Sequence, residues 1–149
     1  MMCCRRQNIT SITHCTTDSK YGSGCLQCTY ENWACIDGSI YVRPSSEIWD
    51  ITDNTLSVWV KFPSDAVGVG VRFHFMGYDW DWIDDEDGTH TITADDVNKW
   101  INYTWDLSDV SILHPDSVSM VGEIGLMVSA DWVGVPWEGT FWVDSYDWE

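Results

Sequence analysis

Apolar and polar residues alternate along most of this chain, and the alternation lays out its elements. Ile124, Leu126 and Val128 alternate with Glu123, Gly125, Met127 and Ser129, and after a loop Phe141 and Val143 alternate with Trp142 and Asp144. A side-chain period of two is that of a half-buried strand. The same period predicts strands at Cys25–Tyr30 with Leu26, Cys28 and Tyr30 on one face, at Ser39–Arg43 with Ile40 and Val42 inward, and at 101–107 with Ile101, Tyr103, Trp105 and Leu107 inward. In TLSVWVKF, Leu56, Val58, Val60 and Phe62 share a face. In VGVGVRFHF, Val67, Val69, Val71, Phe73 and Phe75 do, and the PSDA turn between the two runs predicts a hairpin. A weak strand near Ile9 to Cys15 and a short one at THTIT complete the set, and only Ala94–Trp100 hints at a helical period. Seven or eight short strands divided by turns predict an all-β, antiparallel β-sandwich. The polar, Thr/Ser-rich residues 1–22 read as a leading segment, a remnant of a longer chain, and residues 23–149 as the sandwich.

Composition narrows the partners. With 149 residues and 44% hydrophobic content the chain makes one domain with a sizeable core. No apolar run approaches the roughly 18 residues of a membrane span. Lys+Arg 7 against Asp+Glu 24 gives a formal charge of −17, which repels phosphate backbones and anionic lipids, so neither nucleic acid nor membrane is an expected partner. The start MMCCRRQNIT lacks the apolar stretch of a secretory signal, so the chain is either intracellular or a piece whose true start lies upstream, and the second reading is preferred.

All six cysteines (Cys3, Cys4, Cys15, Cys25, Cys28, Cys35) fall in the first 35 residues. Cys25 and Cys28 form a C-x-x-C, but in a strand positions three apart point to opposite sides, which argues against one shared metal ion. Cys28 reads as a small buried hydrophobe. Cys15, Cys25 and Cys35 are available for a disulfide in an exported protein, with the pairing open.

Eleven tryptophans exceed what a core of this size normally holds. If the inward residues are those above, the outward set includes Trp59, Arg72, His74, Trp100, Asn102, Asp106, Trp142, Asp144 and Tyr146. Aromatic planes that stack on the C–H face of a sugar ring, beside Asp, Asn and Arg that bind its hydroxyls, are the equipment of a glycan groove. Simple cross-strand packing of Trp59 and Trp142, and an ion pair between Arg72 and Asp144 or another acid, are the bland alternatives. Loop residues Trp80, Trp82, Trp132 and Trp137 either form a second platform at the rim or cap the ends of the sandwich.

Asp79, Asp81, Asp84, Asp85, Glu86 and Asp87 crowd one loop, as calcium ligands or as a solvated acidic turn. An EF-hand does not fit, since Gly88 as its glycine puts Ile83 first and Ala94 last. No G-x-S-x-G, H-E-x-x-H or P-loop occurs, and His14, His74, His90 and His114 are scattered. Asp79 and Asp81 have the alternate spacing of a glycosidase carboxylate pair but fall on a predicted loop. An enzyme is not expected.

The order GSGCLQCTYEN, TLSVWVKFPSD, KWINYTWDLSDV, VGEIGLMVSADW and GTFWVDSYDW resembles the jelly-roll carbohydrate-binding modules attached to cellulases and mannanases. Gly24, Leu26 and Tyr30 stand in the early strand motif, Trp100, Asp106, Leu107 and Ser108 in a late one, and Trp142, Val143 and Asp144 in the closing strand, so the likeness covers roughly residues 18–148. It implies a jelly-roll fold, an extracellular, secreted setting, non-catalytic docking on a β-glucan, mannan or similar polysaccharide, and a covalently linked glycoside hydrolase as neighbour. It also implies a structural calcium (Ca2+) at Asp144. The acidic first strand that shares this calcium in the family has no match in residues 1–20, which would leave an open sheet edge. That edge motivates a second function: a structural or adhesive subunit that accepts a strand from the next copy of itself and builds a fibre.

Overall fold

The computed structural model describes residues 2–31, 38–45, 48–77, 80–108, 115–130 and 137–149. Its strands are β1 (Met2–Gln7), β2 (Ile9–Cys15), β3 (Cys25–Tyr30), β4 (Gly38–Arg43), β5 (Thr55–Lys61), β6 (Gly70–Met76), β7 (Trp82–Asp84), β8 (His90–Thr91), β9 (Trp100–Asp106), β10 (Glu123–Ser129) and β11 (Gly139–Trp148). They form two antiparallel sheets. The front sheet runs β1-β4-β10-β6-β7, with β8 also on β6, and the back sheet runs β2-β3-β11-β5-β9. The expected all-β sandwich is therefore the fold.

The core lies between the two sheets and is built mostly from the residues that the alternation assigned inward; Val67, expected inward, is 44% exposed because the strand starts only at Gly70, after the 3-10 turn. Val58, Val60, Phe141 and Val143 of the back sheet face Ile40, Phe73, Phe75, Ile124, Leu126 and Val128 of the front sheet, all buried. Phe62 and Phe141 stack at 5.1 Å between ring centroids. A deep polar anchor at this end is Tyr30, whose hydroxyl accepts hydrogen bonds from the Ala130 amide at 3.2 Å and from Asn8 Nδ2 at 3.4 Å. Cys28 faces the core, fully buried, as does Tyr30.

Connectivity differs from the sequence reading at one hairpin. The runs expected as a hairpin, β5 and β6, lie in different sheets: β5 is flanked by β11 and β9, and β6 by β10 and β7. The reason is the length and apolar content of the link. Residues 62–69 form a 3-10 turn at Ser64–Ala66 and bury Phe62, Ala66 and Val69 across the end of the sandwich, carrying the chain from one layer to the other. β10 and β11 likewise belong to different sheets.

The leading segment is part of the sandwich. Residues 2–7 pair with β4 in the front sheet and residues 9–15 with β3 in the back sheet, so one strand run breaks at Asn8 and serves both layers. The edge expected to be open is thus occupied. Among the described residues, no helix is long and apolar enough to cross a membrane.

A β-bulge reshapes β11. Its register to β5 shifts between Asp144 and Asp147, where Ser145 takes φ 49. One extra residue reverses which side chains face inward from that point on. Tyr146 therefore turns toward the core, its hydroxyl donating to the Ile40 carbonyl of the opposite sheet at 2.8 Å, and Trp148 packs on Trp49 at 4.6 Å. The expectation that Tyr146 shares the outward face of Trp142 and Asp144 is corrected by this bulge.

Phe141 has no exposed surface and its ring is stacked on Phe62, so Phe141→Ala removes both burial and that contact. The expected loss is about 3–5 kcal/mol, measured by urea denaturation, with the slope against denaturant unchanged.

Candidate functional site

The residues expected to line one trough are divided between the two outer faces of the sandwich. Arg72, His74 and Trp82 belong to the front sheet, and Trp59, Trp100, Trp142 and Asp144 to the back sheet. Trp132 lies outside the described residues.

On the back sheet the chain covers its own indoles. The turn between β2 and β3 folds over the face as a strap. Within it, Asp18 accepts hydrogen bonds from Lys61 Nζ and, at 3.3 Å, from Trp100 Nε1. The Lys61 ammonium holds the Asp18 carboxyl below its ordinary range. Lys20 Nζ sits 4.1 Å above the Trp59 ring, Tyr21 meets the same ring edge-on at 6.0 Å, and Lys61 lies 5.9 Å over Trp142. The Lys20 and Tyr21 amides donate to Asp144 Oδ2 at 2.8 and 3.0 Å, and Ser145 Oγ donates to Oδ1 at 3.0 Å.

These donors do not fit the calcium that the family likeness implies at Asp144. A calcium ion gathers six to eight oxygen ligands, whereas both Asp144 oxygens here point at N–H and O–H donors. Among the described residues no three His, Cys, Asp or Glu side chains converge as a metal site. In the acidic loop, Arg72 Nε lies 3.4 Å from Asp84, Asp85 accepts the Gly88 amide at 3.0 Å, and Asp81 accepts Ser117 Oγ at 3.3 Å. Burial pushes the Asp85 carboxyl up from its ordinary value.

The front sheet is arranged differently. Every residue of β10 is buried, on both faces of the sheet. Rows across the outer face run Tyr41, Gly125, His74, Asp84, and beside it Ser39, Met127, Arg72. Next to them Glu123, with no exposed surface, accepts two hydrogen bonds on Oε2 from Arg43 Nε and Nη2 at 3.1 and 2.9 Å. The His74 ring lies flat between this carboxylate, 3.9 Å from its Nδ1, and Ser39 Oγ, 2.5 Å from its Nε2. Gly125 makes room for it, because a Cβ there would sit 2.2 Å from His74 Nε2 and 2.7 Å from Tyr41 Cβ.

Aromatic rings border this polar floor. Trp82 stacks on His74 at 4.1 Å with planes 11° apart, and its own outer surface is exposed. Arg43 lies 5.1 Å from the Tyr41 ring and 5.9 Å from that of Trp80. Trp80 is 67% exposed and its backbone sits at φ 62, a conformation that costs a non-glycine residue on the order of 1 kcal/mol.

Two expected contact residues are corrected by burial. His74 faces outward from the sheet as read, but Trp82 roofs it and it has no exposed surface. Trp137 is a cap of the core: it stacks on Tyr30 at 5.5 Å and donates from Nε1 to Asp65 at 3.2 Å. Tyr41, Arg43 and Glu123 were missed as site residues. Their signal was present, since inward Ile40, Val42 and Ile124 leave all three on the outer face.

No protein-family model matches the sequence, and no curated protein aligns with it significantly. Solved structures do resemble it. A carbohydrate-binding module from the β-sandwich superfamily, described for promiscuous specificity, superposes with TM-score 0.66 at 20% identity over 99% of this chain and 56% of that one. A module specific for non-crystalline cellulose, CBM28, gives 0.61 at 17% identity over 93% and 80%. The CBM22-1 xylan-binding domain of Paenibacillus barcinonensis Xyn10C gives 0.56 at 14% over 98% and 83%. The chain thus has the jelly-roll fold of carbohydrate-binding modules, and it spans about half the length of the first of these chains.

Two outcomes are expected from this geometry. Arg43→Met strands the buried Glu123 carboxylate and lowers stability by about 2–3 kcal/mol, below the usual cost of breaking a buried pair because Arg43 is 34% exposed. The double variant Arg43→Met with Glu123→Leu recovers most of that loss in the same denaturation experiment. Separately, a melting curve in excess chelator matches one in millimolar calcium to within about 1 °C, since a bound ion at Asp144 would raise the midpoint by mass action.

Proposed function

We propose that this chain is a non-catalytic carbohydrate-binding module that holds a polysaccharide, a β-glucan or mannan in the first instance, against the outer face of its front sheet. The observation that carries the reading is the pair of exposed rings Trp80 and Trp82 on the outer face away from the strap, Trp80 5.9 Å from a fixed Arg43 and Trp82 stacked on His74. Trp82 presents a flat ring for the C–H face of a sugar, backed by His74 so that it cannot tilt away. Trp80 is the second exposed ring, with the Arg43 guanidinium 5.9 Å from it, so a sugar stacked there would have a charged group at its hydroxyl rim. Support also comes from the neighbours of the same fold, among them modules for non-crystalline cellulose and for xylan, which keep both glycans in the test set.

Such a module works by raising the effective concentration of an attached glycoside hydrolase at an insoluble substrate, in an extracellular setting. The fibre reading has no comparable observation in its favour, because its motive was an edge that β1 and β2 fill.

Affinity electrophoresis against soluble β-glucan, mannan and xylan tests the proposal. Retardation by one of them is expected to weaken about tenfold in Trp80→Asn and in Trp82→Ala, and to persist in Trp142→Ala on the back sheet. Asparagine tolerates the left-handed backbone at position 80, so Trp80→Asn melts no lower than the parent. Retardation equal in parent and Trp80→Asn would sink the front-face site.

A further inference from the structure

The strap over the back sheet begins and ends on a pair of cysteines. Cys15, the last residue of β2, lies directly opposite Cys25, the first of β3, and both are free thiols. Directly opposed residues in an antiparallel pair have Cα atoms about 4.5–5.5 Å apart, inside the span that a disulfide bridges. The neck is tight: a Cβ on Gly24 would come within 2.7 Å of the Cys15 carbonyl oxygen. Cys28, the other free thiol with a described side chain, points into the core and sits opposite Ile12.

We propose that Cys15 and Cys25 are a redox site, closed to a cross-strand disulfide by a low-molecular-weight disulfide such as oxidised glutathione, and that this bond locks the strap onto the back sheet. The two thiols are suited to different steps. Cys15 is half-buried and its sulfur lies 3.2 Å from the Thr17 hydroxyl, a contact that lowers its pKa and favours the thiolate. Cys25 is almost fully covered, and burial pushes its thiol up to about 12.

The Cys15 thiolate attacks one sulfur of the external disulfide, expelling a thiolate and forming a mixed disulfide. Cys25 then gives up its proton and attacks the Cys15 sulfur, expelling the second thiolate. Two cysteine thiols are oxidised by two electrons, and the external disulfide is reduced to two thiols that take up the two protons. The closed ring holds Asp18, Lys20 and Tyr21, the residues that grip Lys61, Trp100, Trp59 and Asp144. Oxidation therefore fixes the indoles of the back sheet under the strap, and reduction leaves that cover to the strap's polar contacts.

Trypsin mapping of the full chain after equilibration with oxidised glutathione tests the site, because cleavage after Lys20 separates the two cysteines. A link is expected between the peptide Gln7 to Lys20 and the peptide starting at Tyr21, retained in Cys28→Ser and Cys35→Ser and lost in Cys25→Ser and Cys15→Ser. The Cys15→Ser change is at the half-buried end of the pair, and its tryptophan emission serves as the check that it folds. The oxidised parent is expected to melt about 5–10 °C above the reduced one, and Cys15→Ser to show no such difference. A link that survives Cys25→Ser, a link between chains, or free thiols throughout would each overturn the proposal.

Discussion

The front face depends on one buried charge. Glu123 has no exposed surface, and taking a carboxylate out of water costs several kcal/mol unless its partners are near and well aimed. Arg43 meets that requirement with two donors on a single oxygen, which immobilises the guanidinium. The fixed guanidinium lies 5.1 Å from the Tyr41 ring and 5.9 Å from that of Trp80, while His74, held by Ser39 Oγ at 2.5 Å, backs the ring of Trp82. A face whose rings and donors are already held loses little side-chain freedom when a ligand arrives, which is how a shallow surface reaches useful affinity. The ion pair does not make the fold more stable than an apolar pair would; its effect is to give this surface one arrangement.

The back face shows that a row of outward tryptophans is not in itself a site. Trp59, Trp100 and Trp142 have the alternation of a binding platform, and each is in contact with a charged residue of the chain itself. A sugar placed there would have to displace a lysine from an indole, which costs roughly the 0.5–1 kcal/mol of an exposed cation–π contact, and dislodge Asp18 from Lys61 as well. Several such displacements together exceed what one stacked sugar returns. The strap turns these rings into a structural feature.

Layers and most inward positions were legible because a period of two survives any loop length. What the period could not give was the partner of each strand, since β5 and β6 carry the same pattern whether they pair with each other or face each other across the core. It also treats outward as wet. His74 and Glu123 point away from the core and are nonetheless buried, because a ring stacked from β7 and an arginine from β4 close over them. The bulge in β11 left no mark: Ser145 is neither glycine nor asparagine, yet it takes the left-handed conformation that turns Tyr146 inward. Of the motif residues, Tyr30 and Val143 are in the core, and Asp144 anchors the backbone amides of Lys20 and Tyr21.

Trp80 and Trp137 show how the two fates of a loop tryptophan differ physically. Trp137 lies at the mouth of the core, where Tyr30 and Phe62 offer it flat surfaces and Asp65 takes its N–H, so burying the ring stabilises the sandwich. Trp80 stands before Asp81, whose carbonyl accepts the Gly77 amide at 2.9 Å, and it takes φ 62 with its ring in solvent. Strain and an exposed indole both work against the folded state, and asparagine or glycine would relieve them. The binding role proposed for the front face would account for a residue that lowers stability locally beside a fixed arginine, since a sugar stacked on the ring would cover it.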